Sequence, residues 1–262
     1  MALTMAWVQP PSVRVVVNLP AYRLDMYVDD SVIHTLPVAV GLPRFPTPRG
    51  KFEITSVEWN PWWIPPDRDW AARERPTPPG PKNPMGRVKI NFRPLYFLHG
   101  TPLESSIGTA ASHGCIRLTN ADAIALARLV HQYGSPALAD VDALIASMKT
   151  QLVTLDVKIP LDLRYDLAEI RGETLWVHRD IYHIATRSRR DDVYAALAAR
   201  GLDTEVDSAR VAVFIRRSGL HSMGVPIDSL RSIPRGTRAR SDSRRAPNRS
   251  PPALAQSCSV AR

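Results

Sequence analysis

The chain has 262 residues, 44% of them apolar and 23% charged, enough to bury one sizeable domain or a domain with an appendage. Its formal charge of +9 would suit a nucleic-acid binder, but eight arginines against one aspartate lie from Arg231 onward, leaving about +2 for everything before. The charge is a tail property, so no nucleic-acid partner is expected, and without a run of about eighteen apolar residues no transmembrane helix is expected either.

Residues 14–19, 23–28 and 31–40 are rich in Val, Ile, Leu and Tyr and read as strands, with Asp29-Asp30 as a tight turn between the last two. Further strands are expected at 50–57, 88–92 and 95–99. In the last, period-two alternation puts Leu95, Phe97 and His99 on one face and Tyr96 and Leu98 on the other. His99 then stands at the end of a strand whose neighbours are anchored in a core.

Between Trp59 and Met85 the chain holds four tryptophans and many prolines and follows neither regular period. A loop of that length inside a domain is usually functional or unstructured, and the tryptophans favour order. It reads either as the wall or lid of a cleft or as a hydrophobic cover on the sheet.

Ser112-His113-Gly114-Cys115-Ile116-Arg117-Leu118, with His99-Gly100 upstream, carries the chemistry. Thiolate is the nucleophilic form of cysteine, and a free thiol ionises near pH ~8.5, so an imidazole is needed to activate it. Two histidines lie within sixteen residues of Cys115, and Gly114 lets the backbone turn tightly beside it. The pattern reads as a Cys/His acyl-transfer centre. Zinc is disfavoured because neither Cys-x-x-Cys nor His-x₃₋₅-His spacing occurs, so no metal and no organic cofactor are expected.

Thr119-x-x-Asp122 opens a helix expected to run to about Tyr133, with Ile124, Ala127 and Val130 buried and Gly134 as its stop. Residues 137–149 have helical spacing. Residues 152–159 and 161–178 read as paired strands with a turn at Arg171-Gly172-Glu173. Asp191-Asp192 open another helix that closes at Arg200-Gly201, and residues 207–217 suit a helix or a strand. His178, His183 and His221 show no ligand spacing and read as structural. From Arg231 the chain is Arg, Ser and Pro with few apolar residues and is expected to be disordered.

These motifs resemble the L,D-transpeptidases of the YkuD type, cell-wall enzymes that carry a His-Gly followed by [Ser/Thr]-His-Gly-Cys. Thr47-Pro48-Arg49-Gly50-Lys51-Phe52, Asn60-Pro61 with Trp62-Trp63 and Pro65-Pro66, and Asn83-Pro84-Met85-Gly86 are similar to further family stretches, in the same order. The resemblance implies a mainly β fold, a sandwich or barrel with one helix after the cysteine. It places a catalytic domain at 12–150, with a small α/β appendage at 151–230 and the basic tail at 231–262.

By the same resemblance, Cys115 is the nucleophile, His99 its base, and the Gly100 carbonyl the group that orients His99. His113 sits beside the thiol, and the N–H groups of Gly114 and Cys115 form an oxyanion hole. Arg117 holds a stem-peptide carboxylate or is a surface ion pair, and Ser112 is a hydrogen-bonding residue or a proton carrier. The implied substrates are peptidoglycan stem peptides, with a second stem, water or a lysine of an envelope lipoprotein as acceptor, and carbapenems as inhibitors.

A degenerate wall-binding protein is disfavoured by the intact motif, and a papain-like protease by the base preceding the nucleophile. The family works in the periplasm or cell envelope. Residues 1–20 lack a basic start, and their apolar run breaks at Gln9-Pro10-Pro11, so the export segment is expected to lie outside this chain. Cys258, in the tail, is not expected to pair with Cys115.

Overall fold

A computed structural model describes residues 11–135, 140–218 and 221–232. The first half is a run of strands: β1 (Val13–Asn18), β2 (Arg23–Val28), β3 (Ser31–Pro37), β4 (Val40–Gly41), β5 (Gly50–Trp59), β6 (Val88–Arg93) and β7 (Tyr96–Thr101). Then follow β8 (Ala110–Ser112), β9 (Ile116–Thr119), helices α1 (Asn120–Gly134) and α2 (Val141–Ser147), and the long strand β10 (Gln151–Arg164). The remainder comprises β11 (Ala168–Arg171), β12 (Thr174–Val177), α3 (Arg189–Ala198), α4 (Ser208–Arg217) and β13 (Met223–Pro226).

Eight strands form one sheet in the order β3-β2-β1-β10-β5-β6-β7-β9. The chain leaving β3 comes round to pair Ala39 with Arg117 of β9, so the sheet nearly closes on itself. The expected mainly β barrel-like fold with a helix after the cysteine is what the chain adopts. Asp29 takes a left-handed conformation, φ 52°, in the hairpin turn between β2 and β3.

Helix α1 packs on β10, β7, β6 and β9. Thr119 caps it by accepting from the Asp122 N–H at 3.0 Å. Ala123, Leu126, Ala127 and Val130 are its fully buried side chains, while Ile124 is half-buried at the edge of the stripe. They share one apolar core with Val57, Ile90, Leu98 and Ile116, register partners on β5, β6, β7 and β9 that are all 0% exposed. Trp59, at the end of β5, belongs to this core; its Nε1–H donates to His131 Nε2 at 2.8 Å.

β10 lies between β1 and β5, parallel to the first and antiparallel to the second, so the large sheet extends to Arg164. Residues 152–159 therefore do not pair with 161–178. Pro160 does not break the strand; it sits opposite Glu53 just past a bulge between Thr154 and Ile159. Beyond it, β11, β12 and β13 form a small sheet that shares its own apolar cluster with α3 and α4, including Leu175, Val193, Leu197 and Phe214. The ambiguous segment at 207–217 is helix α4, capped by Asp207. His178 contacts Glu169 and Ser222. Of the expected helix at 137–149, α2 is present, and residues 137–139 lie outside the described ones, as do residues 233–262 and with them Cys258.

The long loop between β5 and β6 is held by two asparagines. Asn83, 0% exposed, donates to the carbonyls of Pro61, Thr77 and Pro78 and accepts from the Met85 N–H. Asn60 donates to the carbonyls of Leu144 and Lys149, tying the loop to the segment around α2. Removing the Asn83 amide strands several buried carbonyls, each of which costs about 1–3 kcal/mol when unpaired. Asn83→Ala is expected to lower unfolding free energy in urea by about 2 kcal/mol or more. A loss below about 0.5 kcal/mol, the range of a neutral surface change, would show that the loop is held by something else.

Candidate active site

The pleat that buries Leu98 turns the next residue, His99, to the opposite face of the sheet. There a cleft of about 490 Å³ opens, lined by His99, Ser112, His113, Cys115 and Arg117 among others. The sequence-selected side chains are thus brought together. Cys115 immediately precedes β9, and Arg117 is the register partner of His99 on the parallel strand.

His99 is 1% exposed, and its Nδ1 lies 2.6 Å from the carbonyl oxygen of Gly100. A carbonyl only accepts, so Nδ1 carries the proton and Nε2 keeps the lone pair. Burial lowers the imidazole pKa to about 4, with Arg117 and Lys89 adding to the effect against the opposing bond to Gly100. The ring is therefore neutral at pH 7, a base ready to accept. A Cβ at Gly100 would lie 2.3 Å from Asn120 Oδ1 and would displace that amide.

The thiol departs from expectation. Burial pushes Cys115 up to about 11, only partly opposed by the Phe97 N–H and by Arg117 and Lys89. Its Sγ donates to the Leu95 carbonyl at 3.6 Å, a contact no sequence feature announced. Both shifts favour a protonated thiol and a neutral imidazole over an ion pair of thiolate and imidazolium. Desolvation outweighs the nearby cations.

Ser112 holds the turn together. Its Oγ donates to the Cys115 carbonyl at 2.5 Å and accepts from the Gly114 N–H at 3.0 Å. That second bond engages the Gly114 N–H, one of the two donors expected to form an oxyanion hole. The Cys115 N–H makes no hydrogen bond among the described residues. Gly114 has φ 110°, and a Cβ on it would meet the Tyr96 ring at 2.7 Å, so glycine is required there twice over.

His113 is packed between rings. Trp70 stacks on it at 3.9 Å and 11°, and Phe45 lies tilted at 4.7 Å. Burial, then Arg117 and Arg44, lower its pKa. Arg117 Nε is buried without a hydrogen-bond partner. The two readings of the tryptophan-rich loop separate by residue: Trp59 covers the core, while Trp62, Trp63 and Trp70 wall the cleft. Trp62 at 46% and Ile64 at 63% exposed give that wall an apolar surface along the groove. Among the described residues no cluster of His, Cys, Asp or Glu could hold a metal ion, and no helix is long and apolar enough to cross a membrane.

A sequence model of the L,D-transpeptidase catalytic domain, YkuD, matches residues 12–152, more than half of the chain. The chain belongs to the L,D-transpeptidase family. It is 38% identical over 126 residues to the probable L,D-transpeptidase ErfK/SrfK of Escherichia coli strain K12, covering 43% of this chain and 40% of that protein. The putative L,D-transpeptidase YkuD of Bacillus licheniformis is 34% identical over 118 residues, 45% of this chain and 59% of that one. The chain thus matches between two fifths and three fifths of the length of these relatives. Among solved structures, L,D-transpeptidase 3 from Mycobacterium tuberculosis with a faropenem-derived adduct aligns over 59% of this chain and 60% of its own, at 17% identity and TM-score 0.38.

The resting protonation state has a direct kinetic signature. With a thiol pKa of about 11, alkylation of Cys115 by iodoacetamide should accelerate about tenfold per pH unit from pH 7 and level off only near pH 11. The sign follows from the thiolate being the reactive form, which grows as pH rises toward the pKa. Reaction that plateaus by about pH 8 would mean that the sulfur is ionised at rest.

Proposed function

We propose that the protein is a peptidoglycan L,D-transpeptidase acting in the cell envelope, with Cys115 as nucleophile and His99 as base. The observation that carries this is one cleft lined by both Cys115 and a His99 whose tautomer is set by Gly100.

The reaction runs in two halves. The thiol leaves its bond to Leu95 and gives its proton to His99 Nε2 as Sγ attacks the carbonyl between the third stem residue and terminal D-alanine. The tetrahedral oxyanion takes the Cys115 N–H; one such donor contributes about 3 kcal/mol to acyl transfer. The C–N bond then breaks, and D-alanine departs with the proton from the imidazolium, leaving a thioester on Cys115. An amine of a neighbouring stem attacks that thioester, His99 removes the amine's proton, and the regenerated thiol is released as the cross-link forms.

The Gly100 carbonyl stabilises the transient imidazolium through Nδ1–H, and the Phe97 N–H stabilises the transient thiolate. Arg117, with its unpartnered Nε, binds a stem carboxylate. Ser112 acts only by holding the turn. His113, fixed by Trp70, shapes the cleft wall beside the thiol.

Incubation of the purified protein with disaccharide tetrapeptide, followed by chromatography and mass spectrometry, tests the reading. Cross-linked dimers and free D-alanine are expected, and Cys115→Ala should reduce both at least about a thousandfold. Tripeptide without dimer would make water the acceptor and the protein an L,D-carboxypeptidase. Transfer to a lysine of an envelope lipoprotein would make it an anchoring enzyme. A carbapenem adduct on the intact protein, absent from Cys115→Ala, is the companion result. Absence of D-alanine release and of any adduct would overturn the assignment.

A further inference from the structure

Residues 42–49 join β4 to β5 and lie against the turn that carries the thiol. The Leu42 N–H donates to the Ser112 carbonyl at 2.9 Å, and a Cβ on Gly114 would stand 3.6 Å from the Pro46 carbonyl oxygen. Phe45, in the middle of this loop, packs on the ring of His113, which lines the cleft.

The far end of the loop is held by a part of the chain remote from the catalytic motif. Thr47 is buried, and its N–H donates to the Tyr182 hydroxyl at 3.2 Å, the one acceptor it has among the described residues. The Thr47 hydroxyl in turn accepts from the Gly41 N–H at 2.9 Å, which closes the loop onto β4. Tyr182 is itself fixed. Its N–H donates to the Tyr165 hydroxyl at 2.7 Å, and that hydroxyl donates to Asp180 Oδ1 at 2.6 Å. The Asp180 carboxylate also accepts from the N–H groups of Ile184 and Ala185, and the two tyrosine rings stack 5.4 Å apart. Tyr165, Asp180 and Tyr182 all lie beyond residue 152, where the match to the catalytic-domain model ends.

We infer that Tyr182 is a positioning residue for the acyl transfer: its hydroxyl holds residues 42–47 so that Phe45 and Trp70 together fix His113 beside the thiol. This rests on the acyl-transfer reading of the cleft. A phenylalanine would fill the same place in the core, so the hydroxyl is there for its bond to the loop. Without it the buried Thr47 N–H has no acceptor, a costly state that the loop escapes by moving toward water. That movement takes Phe45 off His113 and leaves the imidazole packed by Trp70 alone. Cys115 is two residues further on, so a wall loosened at His113 changes how a scissile carbonyl meets the sulfur. A misplacement of about 1 Å, even from a change far from the chemistry, costs about a hundredfold in rate.

The test compares the 262-residue protein with two variants. Tyr182→Phe removes only the hydroxyl, and Leu197→Ala opens the separate apolar cluster of α3 and α4 without touching the brace. At a temperature where thermal melting shows all three folded, Tyr182→Phe should lower kcat/KM for D-alanine release from disaccharide tetrapeptide at least about tenfold. It should also move the imidazole proton resonance of His113, which feels the ring currents of Phe45 and Trp70. Leu197→Ala should lower the melting temperature and leave both readings in place. In Tyr182→Phe, an unchanged kcat/KM or an unmoved His113 resonance overturns the positioning role and leaves the acyl transfer standing. Equal changes in Leu197→Ala overturn it as well, since lost stability would then be their cause. Absence of D-alanine release from the unmodified protein overturns the acyl-transfer reading, and the positioning role with it. Should Tyr182→Phe fail to fold, hydrogen exchange on the unmodified protein decides: the Thr47 amide is expected to be as protected as those of β5, and exchange at the rate of an open loop overturns the brace.

Discussion

The site depends on the registration of four strands. Val57, Ile90, Leu98 and Ile116 form a row across β5, β6, β7 and β9 that is wholly buried beneath α1. Because side chains alternate, the neighbouring row, Glu58, Lys89, His99 and Arg117, has no choice but the opposite face. A slip of one residue in β7 would drive His99 into the apolar core and Leu98 into the cleft. Hydrophobic burial therefore positions the polar groups. Each buried aliphatic of this row, worth about 1.5–3 kcal/mol of burial, also acts as an indexing pin for its polar neighbour.

That arrangement sets the chemistry's starting point. The core that fixes the imidazole also removes it from water, which leaves it neutral, and the same desolvation keeps the thiol protonated. An ionised pair at rest would need stronger compensation than Arg117, Lys89 and one backbone N–H supply. Yet a protonated resting thiol is no defect. A sulfur of high pKa is intrinsically the better nucleophile once its proton is gone, and it is less exposed to adventitious oxidation. What the site needs is a base already holding its lone pair on the correct nitrogen, and the 2.6 Å contact to the Gly100 carbonyl provides it.

Features that rest on local signals were legible in the sequence: the Asp29-Asp30 turn, the Thr119 cap of α1, the placement of His99 on a strand, though β7 runs on past it to Thr101. Those that rest on distant pairing were not. β10 sits between strands more than ninety residues upstream of it, and nothing within residues 151–164 names β1 or β5 as partners. The fate of the Gly114 N–H depended on a serine two residues back folding onto its own turn, an arrangement that the spacing allows but does not compel. The stack of Trp70 on His113 joins residues forty-three apart and follows from where Asn83 and Asn60 moor the loop. The excess of tryptophan was visible; its division between core and cleft was set by the loop's anchors.

Those anchors matter because the two sides of the cleft have different physical characters. The floor is sheet, rigid and charged, with a side chain from each of four strands. The wall is loop, apolar and aromatic, ordered by buried amide hydrogen bonds and not by a ladder of its own, apart from the Trp63–Thr77 bridge. A peptide lying between them meets directional polar contacts below and adaptable aromatic surface above. Specificity for charge then belongs to the floor, where a displaced group leaves a partner unpaired in a desolvated place. The wall contributes affinity with little discrimination, since aromatic faces accept many aliphatic shapes. Changes to the loop should accordingly alter how tightly a ligand of the cleft is held, while changes to the polar floor alter which ligand is taken.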